Sequence, residues 1–158
     1  MRVECINPFI RSLDNTFATM LGCQVRQGKL ELKADSAANH EISGVIGLSG
    51  KALGTVVLSL SREVALKAAS AMLMCEIDEI NADVIDAVGE LANVVAGGAK
   101  AQLEEYNLNT SLPSVITGRN HSVRFPSDVT PIIVPFDTDW GPLALEVGFV
   151  PVPEPALA

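Results

Sequence analysis

Glu90 and Asn93 stand three residues apart in a stretch whose apolar residues recur at helical spacing, so a carboxylate and a carboxamide leave one helix face side by side. A carboxamide both donates and accepts hydrogen bonds and suits the orienting of a water molecule. A carboxylate can hold a lysine brought by another molecule. Neither group makes an enzyme without an electrophile and something to stabilise its developing charge. Taken alone, Glu-x-x-Asn is also what an ordinary solvated helix face carries, and the spacing does not separate the two readings.

The helix that must position the pair runs from Asn81 to Lys100 and is expected to continue to about Glu105. At about 100° per residue, Val84, Ile85, Val88, Leu91, Ala92, Val95, Ala99 and Leu103 form a core-facing band. The other face carries Asp83, Asp86, Glu90, Asn93 and Gly97, with Glu104 farther on. A face built only for solubility alternates charges, because opposite signs at i,i+4 stabilise a helix. Here Asp86 and Glu90 share a sign, and within the helix no Lys or Arg precedes Lys100. Gly97 and Gly98 each cost roughly 1 kcal/mol relative to alanine in a helix interior. The stripe is shaped for something that approaches closely.

The rest of the chain supplies the frame. Its 158 residues, 48% hydrophobic, are expected to form one domain over 1–150 with a proline-rich tail over 151–158. Asn7-Pro8 opens a helix to about Leu21, stopped by Gly22, and Ser61 caps a second from about Arg62 to Leu73 with Val64, Leu66, Ala69 and Met72 inward. Strands are expected at Val25–Leu32 (with a turn or bulge at Gln27-Gly28-Lys29), Glu41–Leu48, Gly54–Leu60, Ser111–Thr117, His121–Phe125, Thr130–Phe136 and Leu143–Val150. Ser49-Gly50-Lys51 reads as one hairpin turn and Asp137 to Gly141 as another. The fold class is α+β, an antiparallel sheet packed against long helices.

Charge and composition exclude several functions. A net charge of −8 argues against nucleic acid and against an anionic membrane surface. No apolar run is long enough for a transmembrane helix, and the N-terminus lacks a signal peptide's apolar centre, so a cytoplasmic protein is expected. Cys5, Cys23 and Cys75 fit neither a zinc site nor a disulfide framework and read as reduced thiols. His40 and His121 have no ligand partner at helical spacing, and no metal site is expected. Asp137 and Asp139 read as turn residues, and Gly44, Gly47, Gly50 and Gly54 as hairpin and bulge positions, since the ending of a phosphate-cradling loop is missing.

The stretch Glu-Leu-Ala-Asn-Val-Val-Ala-Gly-Gly-Ala-Lys over 90–100 resembles the signature helix of the CheC/CheX/FliY phosphatases of bacterial chemotaxis. That pattern is an Asp or Ser, a Glu four residues on, an Asn three further, and later a Pro. Asp86, Glu90 and Asn93 match it, and Pro113 follows slightly early in a family-like Ser-Leu-Pro-Ser-Val-Ile-Thr-Gly. Ile-Asn-Pro-Phe-Ile (6–10), Thr-Met-Leu-Gly (19–22) and Gly-Val-Ile-Gly-Leu-Ser-Gly (44–50) extend the likeness over most of the chain. CheC members usually carry a second Glu-x-x-Asn, whereas the first helix here offers Arg11-Ser-Leu-Asp14, so the CheX branch is favoured.

The resemblance implies a CheC-like fold and hydrolysis of the aspartyl phosphate on a CheY-type response regulator. Asn93 would orient the attacking water, Glu90 would dock the regulator through its active-site lysine, and Asp86 would support them. Gly97 would let a partner's backbone approach, although packing explains the two glycines equally well. The protein would need no cofactor of its own, with Mg²⁺ expected in the regulator. A homodimer joined through the segment from Ser111 to Phe125 is also implied. The competing reading is a non-catalytic adaptor of the same fold, which would bind a regulator or flagellar-switch component without hydrolysis.

Overall fold

The computed structural model describes residues 3–153. After a short 3₁₀ turn at Val3–Cys5 come helix α1 (Asn7–Thr16), a wider π turn (Phe17–Leu21), β1 (Arg26–Gln27) and β2 (Glu31–Leu32). The hairpin β3 (Ile42–Ser49) and β4 (Ala52–Leu60) leads into α2 (Arg62–Leu73) and α3 (Ala82–Lys100). The chain closes with a 3₁₀ turn (Glu104–Tyr106), β5 (Asn109–Thr110), β6 (Ser114–Thr117), β7 (Ile132–Thr138) and β8 (Gly141–Pro151). The strands form one antiparallel sheet in the order β1-β7-β8-β4-β3-β5, with β2 also on β7 and β6 also on β3. The expected α+β architecture is the one observed. Among the described residues no helix is long and apolar enough to cross a membrane.

Successive strand residues point to opposite faces. One face supplies Ile46, Val56, Leu58, Leu145 and Val147 to the core, where Phe9, Leu13 and Phe17 of the first helical segment meet Val88, Leu91 and Val95 of α3. Gly44 lets α3 lie on β3, for a Cβ there would stand 2.9 Å from the Ala92 methyl. The other face carries the buried Ser43, Ser59 and Glu146 and is covered by the chain on either side of the Ala37–Ser122 bridge. Phe125, Val129 and Pro131 press on Gly148, so β8 is buried on both faces along most of its length.

Several expectations need correction. Helix α3 stops at Lys100, because the Gln102 and Leu103 amides bond to Ala99 and Lys100 in a tighter turn that carries Leu103 into the core. Ile85 is 37% exposed rather than part of the core band; its flank of α3 is covered one turn on, where Pro113 and Val115 pack at Gly89. Asn81 caps α3 through Oδ1, which accepts the Val84 amide at 3.0 Å. Asn7 and Ser61 make no such bond: α1 already includes Asn7, and the Ser61 hydroxyl is buried without a partner. The fully buried side of α2 is Val64, Ala65, Ala68 and Ala69, while Leu66 and Met72 are only partly buried.

The β-rich half differs most. His121–Phe125 is irregular, its backbone bonding among the described residues to Ser36 and Ala38 around the Ala37–Ser122 bridge, because it crosses the face of the sheet instead of lengthening its edge. The strand expected from Ser111 begins at Ser114, since Pro113 has no amide to give a ladder. Val25–Leu32 divides into β1 and β2 around Gly28, whose amide bonds the Pro135 carbonyl at 2.8 Å. Gly50, at φ +115°, makes the β3–β4 turn as expected. Of the tail, Pro151 belongs to β8 and residues 154–158 lie outside the described residues.

Candidate functional site

Helix α3 brings Asp86, Glu90, Asn93 and Gly97 onto one exposed stripe, as its period requires. The cap at Asn81 fixes where the helix starts, and Val84, Val88, Leu91 and Val95 fix which way the stripe faces. Among the described residues no ion pair uses Asp86, Glu90 or Lys100, and no side-chain hydrogen bond uses Asn93. The carboxylate and the amide are therefore held in place by the backbone and open to an outside molecule. In the free protein, a water on Asn93 exchanges with bulk solvent. Useful orientation of a nucleophile requires a partner that covers the stripe.

The two helix glycines have different reasons. A Cβ on Gly98 would collide with the Ser12 hydroxyl of α1, whereas one on Gly97 would meet nothing within 4 Å. Packing against α1 explains Gly98. Gly97 leaves a bare notch beside Asn93 that packing does not explain.

Pro113 joins the site from the returning chain. Its Cγ lies 3.6 Å from where a Cβ on Gly89 would stand, directly before Glu90. Between α3 and this chain lies an open depression of ≈550 Å³, lined by Asn93, Gly97 and Lys100 on one side and by Asn107, Leu108 and Thr110 on the other. Sequence reasoning missed this second wall. Of the returning chain the sequence singled out Pro113, as a match to the family pattern, and not Asn107, Leu108 or Thr110.

The other candidates resolve into structure. Arg26 reaches Asp139 at 3.2 Å and Asp137 at 3.4 Å, closing β1 over the β7–β8 turn. The Gly118 carbonyl accepts from His121 Nδ1 at 2.7 Å, so a neutral ring leaves Nε2 to accept from the Ser43 hydroxyl at 2.7 Å. His40 is half-buried, and burial pushes its imidazole below 6.5. Cys5 and Cys23 are buried, the latter with its thiol pushed up by burial, while Cys75 is exposed. On α1, Arg11 bonds Gln102 at 2.7 Å and Ser12 bonds the Val95 carbonyl at 2.7 Å, so no second carboxylate–amide pair exists there. Among the described residues no three His, Cys, Asp or Glu side chains converge to hold a metal ion.

Comparison with known proteins identifies the family. Residues 42–137 match the family described as chemotaxis phosphatase CheX. The chain is 30% identical over 127 residues to the CheY-P phosphatase CheX of Thermotoga maritima, covering 78% of this chain and 82% of that one. A CheC-like superfamily protein from Shewanella is 35% identical with a TM-score of 0.87, covering 95% of this chain and 99% of that one. The CheX of Borrelia burgdorferi, solved as a CheX-CheY-BeF3-Mg²⁺ complex, shares the fold at 24% identity and a TM-score of 0.79, over 94% of this chain and 99% of that one. The helix, the sheet beneath it and the matched length together assign the chain to the CheX family of chemotaxis phosphatases.

Proposed function

We propose that this protein is a phosphatase that hydrolyses the aspartyl phosphate of a CheY-type response regulator. The observation that carries the reading is the exposed Glu90 and Asn93 on one face of α3, without side-chain partners among the described residues, in a chain of the CheX family. Phosphoryl transfer asks for positioning and charge stabilisation more than for covalent chemistry. An open amide and an open carboxylate are therefore enough for a protein whose site is completed by its substrate. The Asn93 carboxamide holds a water in line with the phosphorus–carboxylate bond. The water oxygen bonds to phosphorus, the aspartyl carboxylate leaves, and the water's protons pass to phosphate and solvent. Glu90 pairs with a cation of the regulator and Asp86 supports it, while Pro113 and Gly97 shape the approach. Mg²⁺ is carried by the regulator, a reading supported by the CheX-CheY-BeF3-Mg²⁺ complex of the Borrelia burgdorferi relative.

The same reading places the protein in the cytoplasm beside its regulator and makes it a homodimer, with the edge strand β6 as the joining element. Light scattering at micromolar concentration tests the dimer, and a single-chain mass rejects it.

The deciding experiment follows decay of a phosphorylated CheY-type regulator with wild type and with Asn93→Ala. Wild type accelerates decay, and the variant loses acceleration on the order of 100-fold while still binding, because a misplaced nucleophile costs about that much. Binding by wild type with unchanged decay would establish the adaptor instead.

A further inference from the structure

Resting on that reading, we propose that Lys100, which lines the depression beside α3, and Leu112, which lies outside that lining next to the Pro113 that packs at Gly89, set the register in which the phosphorylated regulator docks. Along α3 itself the stripe is electrically polar: Asp83, Asp86 and Glu90 lie toward one end and Lys100, exposed and outside every ion pair among the described residues, at the other, with the exposed Glu104 of the following turn lining the same depression. Glu90 and Lys100 are separated by about 15 Å at 1.5 Å rise per residue, with Asn93 between them. A regulator that slides along the helix or docks reversed loses both charge matches at once. The partner this fits presents a cation toward Glu90 and a carboxylate toward Lys100, with its aspartyl phosphate between.

The opposite wall is rigid enough to add a second address. The Ser111 amide donates to the Gly47 carbonyl at 2.9 Å, and its hydroxyl oxygen accepts the Gly47 amide at 2.8 Å. The same hydroxyl donates to the Leu112 carbonyl at 2.9 Å, and Pro113 packs at Gly89 on the other side. Leu112 is thus held out by anchored neighbours and is 88% exposed, one residue before the Pro113 that packs at Gly89. A leucine fixed in water next to an open polar pair gains by being covered when a partner seats.

The test uses the full chain with Lys100→Glu and Leu112→Ser, alongside Asn93→Ala. Each register variant raises KM by about 5- to 10-fold with kcat within about twofold of wild type, whereas Asn93→Ala lowers kcat. The Lys100→Glu effect shrinks as salt is raised and the Leu112→Ser effect does not. Unchanged KM in both variants, or a fall in kcat instead, overturns the proposal. A changed mass by light scattering with KM unchanged assigns Leu112 to self-association and also overturns its part. Should wild type bind the regulator without speeding decay, the phosphatase reading fails. The same variants are then compared by calorimetric affinity, where a matching rise in Kd supports the register and none overturns it. No binding by wild type overturns both.

Discussion

Ser12 and Gly98 meet where α1 crosses α3: the Ser12 hydroxyl donates to the Val95 carbonyl at 2.7 Å, and a Cβ on Gly98 would collide with that hydroxyl. The neighbouring Gly97 would meet nothing. Two adjacent glycines on one helix therefore answer to different partners, one inside the fold and one outside it.

Alanine at the two positions should act in opposite directions. Gly97→Ala gains about 1 kcal/mol of helix propensity with no clash, so its thermal midpoint rises while KM for the regulator rises too, the notch being filled. Gly98→Ala forces α1 and α3 apart and loses about 1–3 kcal/mol, less the same propensity gain. Urea melts read the stability and steady-state decay reads KM. A stabilised Gly97→Ala with unchanged KM would remove the notch from the docking surface.

Glu90→Gln keeps the size and removes the charge. Hydrogen bonds to charged groups contribute about 1.5–3 kcal/mol, so KM should rise by about tenfold or more, with kcat far less affected than in Asn93→Ala. Steady-state kinetics separates the two. If kcat collapses and KM stays, Glu90 acts on the water and not on the docking.

Much of this was legible because α3 states its own geometry. Asn81 marks the start, and the apolar period says which residues are left outside, so Asp86, Glu90, Asn93 and Gly97 could be placed on one stripe before any coordinates. The β3–β4 hairpin was equally local, hung on Gly50. What failed was long-range. His121–Phe125 carries strand-like residues but serves as cover over the sheet, which no window of sequence encodes. Lysine normally reads as exposed, so Lys33 gave no sign that its side chain would be 4% exposed against a carboxylate in β8. The second wall of the site arises only because the chain turns back at Asn107, φ +44°, and runs beside α3.

Burial of His40 makes stability depend on pH in a known direction. Its imidazole titrates below 6.5 in the folded chain because burial disfavours the charged form. Between the folded and unfolded values the unfolded chain binds more protons, so this contribution is complete above the unfolded value and is lost as pH falls through the window beneath it. Urea midpoints compared at about pH 7.5 and about pH 5.5 should show the loss, and His40→Asn should flatten it. Equal slopes for wild type and variant would remove His40 as the cause.

Lys33 and Glu146 tie the cover to the far face of the sheet. Lys33 Nζ stands 2.5 Å from Glu146 Oε1 and donates to the Ala37 carbonyl at 2.6 Å, with side chains 4% and 1% exposed. Among the described residues Glu146 Oε2 has no hydrogen-bond partner, so the carboxylate relies on this one lysine. Removing the lysine alone, as in Lys33→Met, strands a buried charge and should cost about 3–5 kcal/mol, whereas Lys33→Met with Glu146→Leu should cost far less than the sum of the single changes. Because the pair lies on the face of the sheet away from α3, the folded double variant should keep the wild-type kcat. Denaturant melts of the four proteins in the cycle, with kinetics on the double variant, decide it. Additive losses would mean the two charges do not depend on each other, and a lost kcat would mean that the far face of the sheet reaches the stripe on α3 after all.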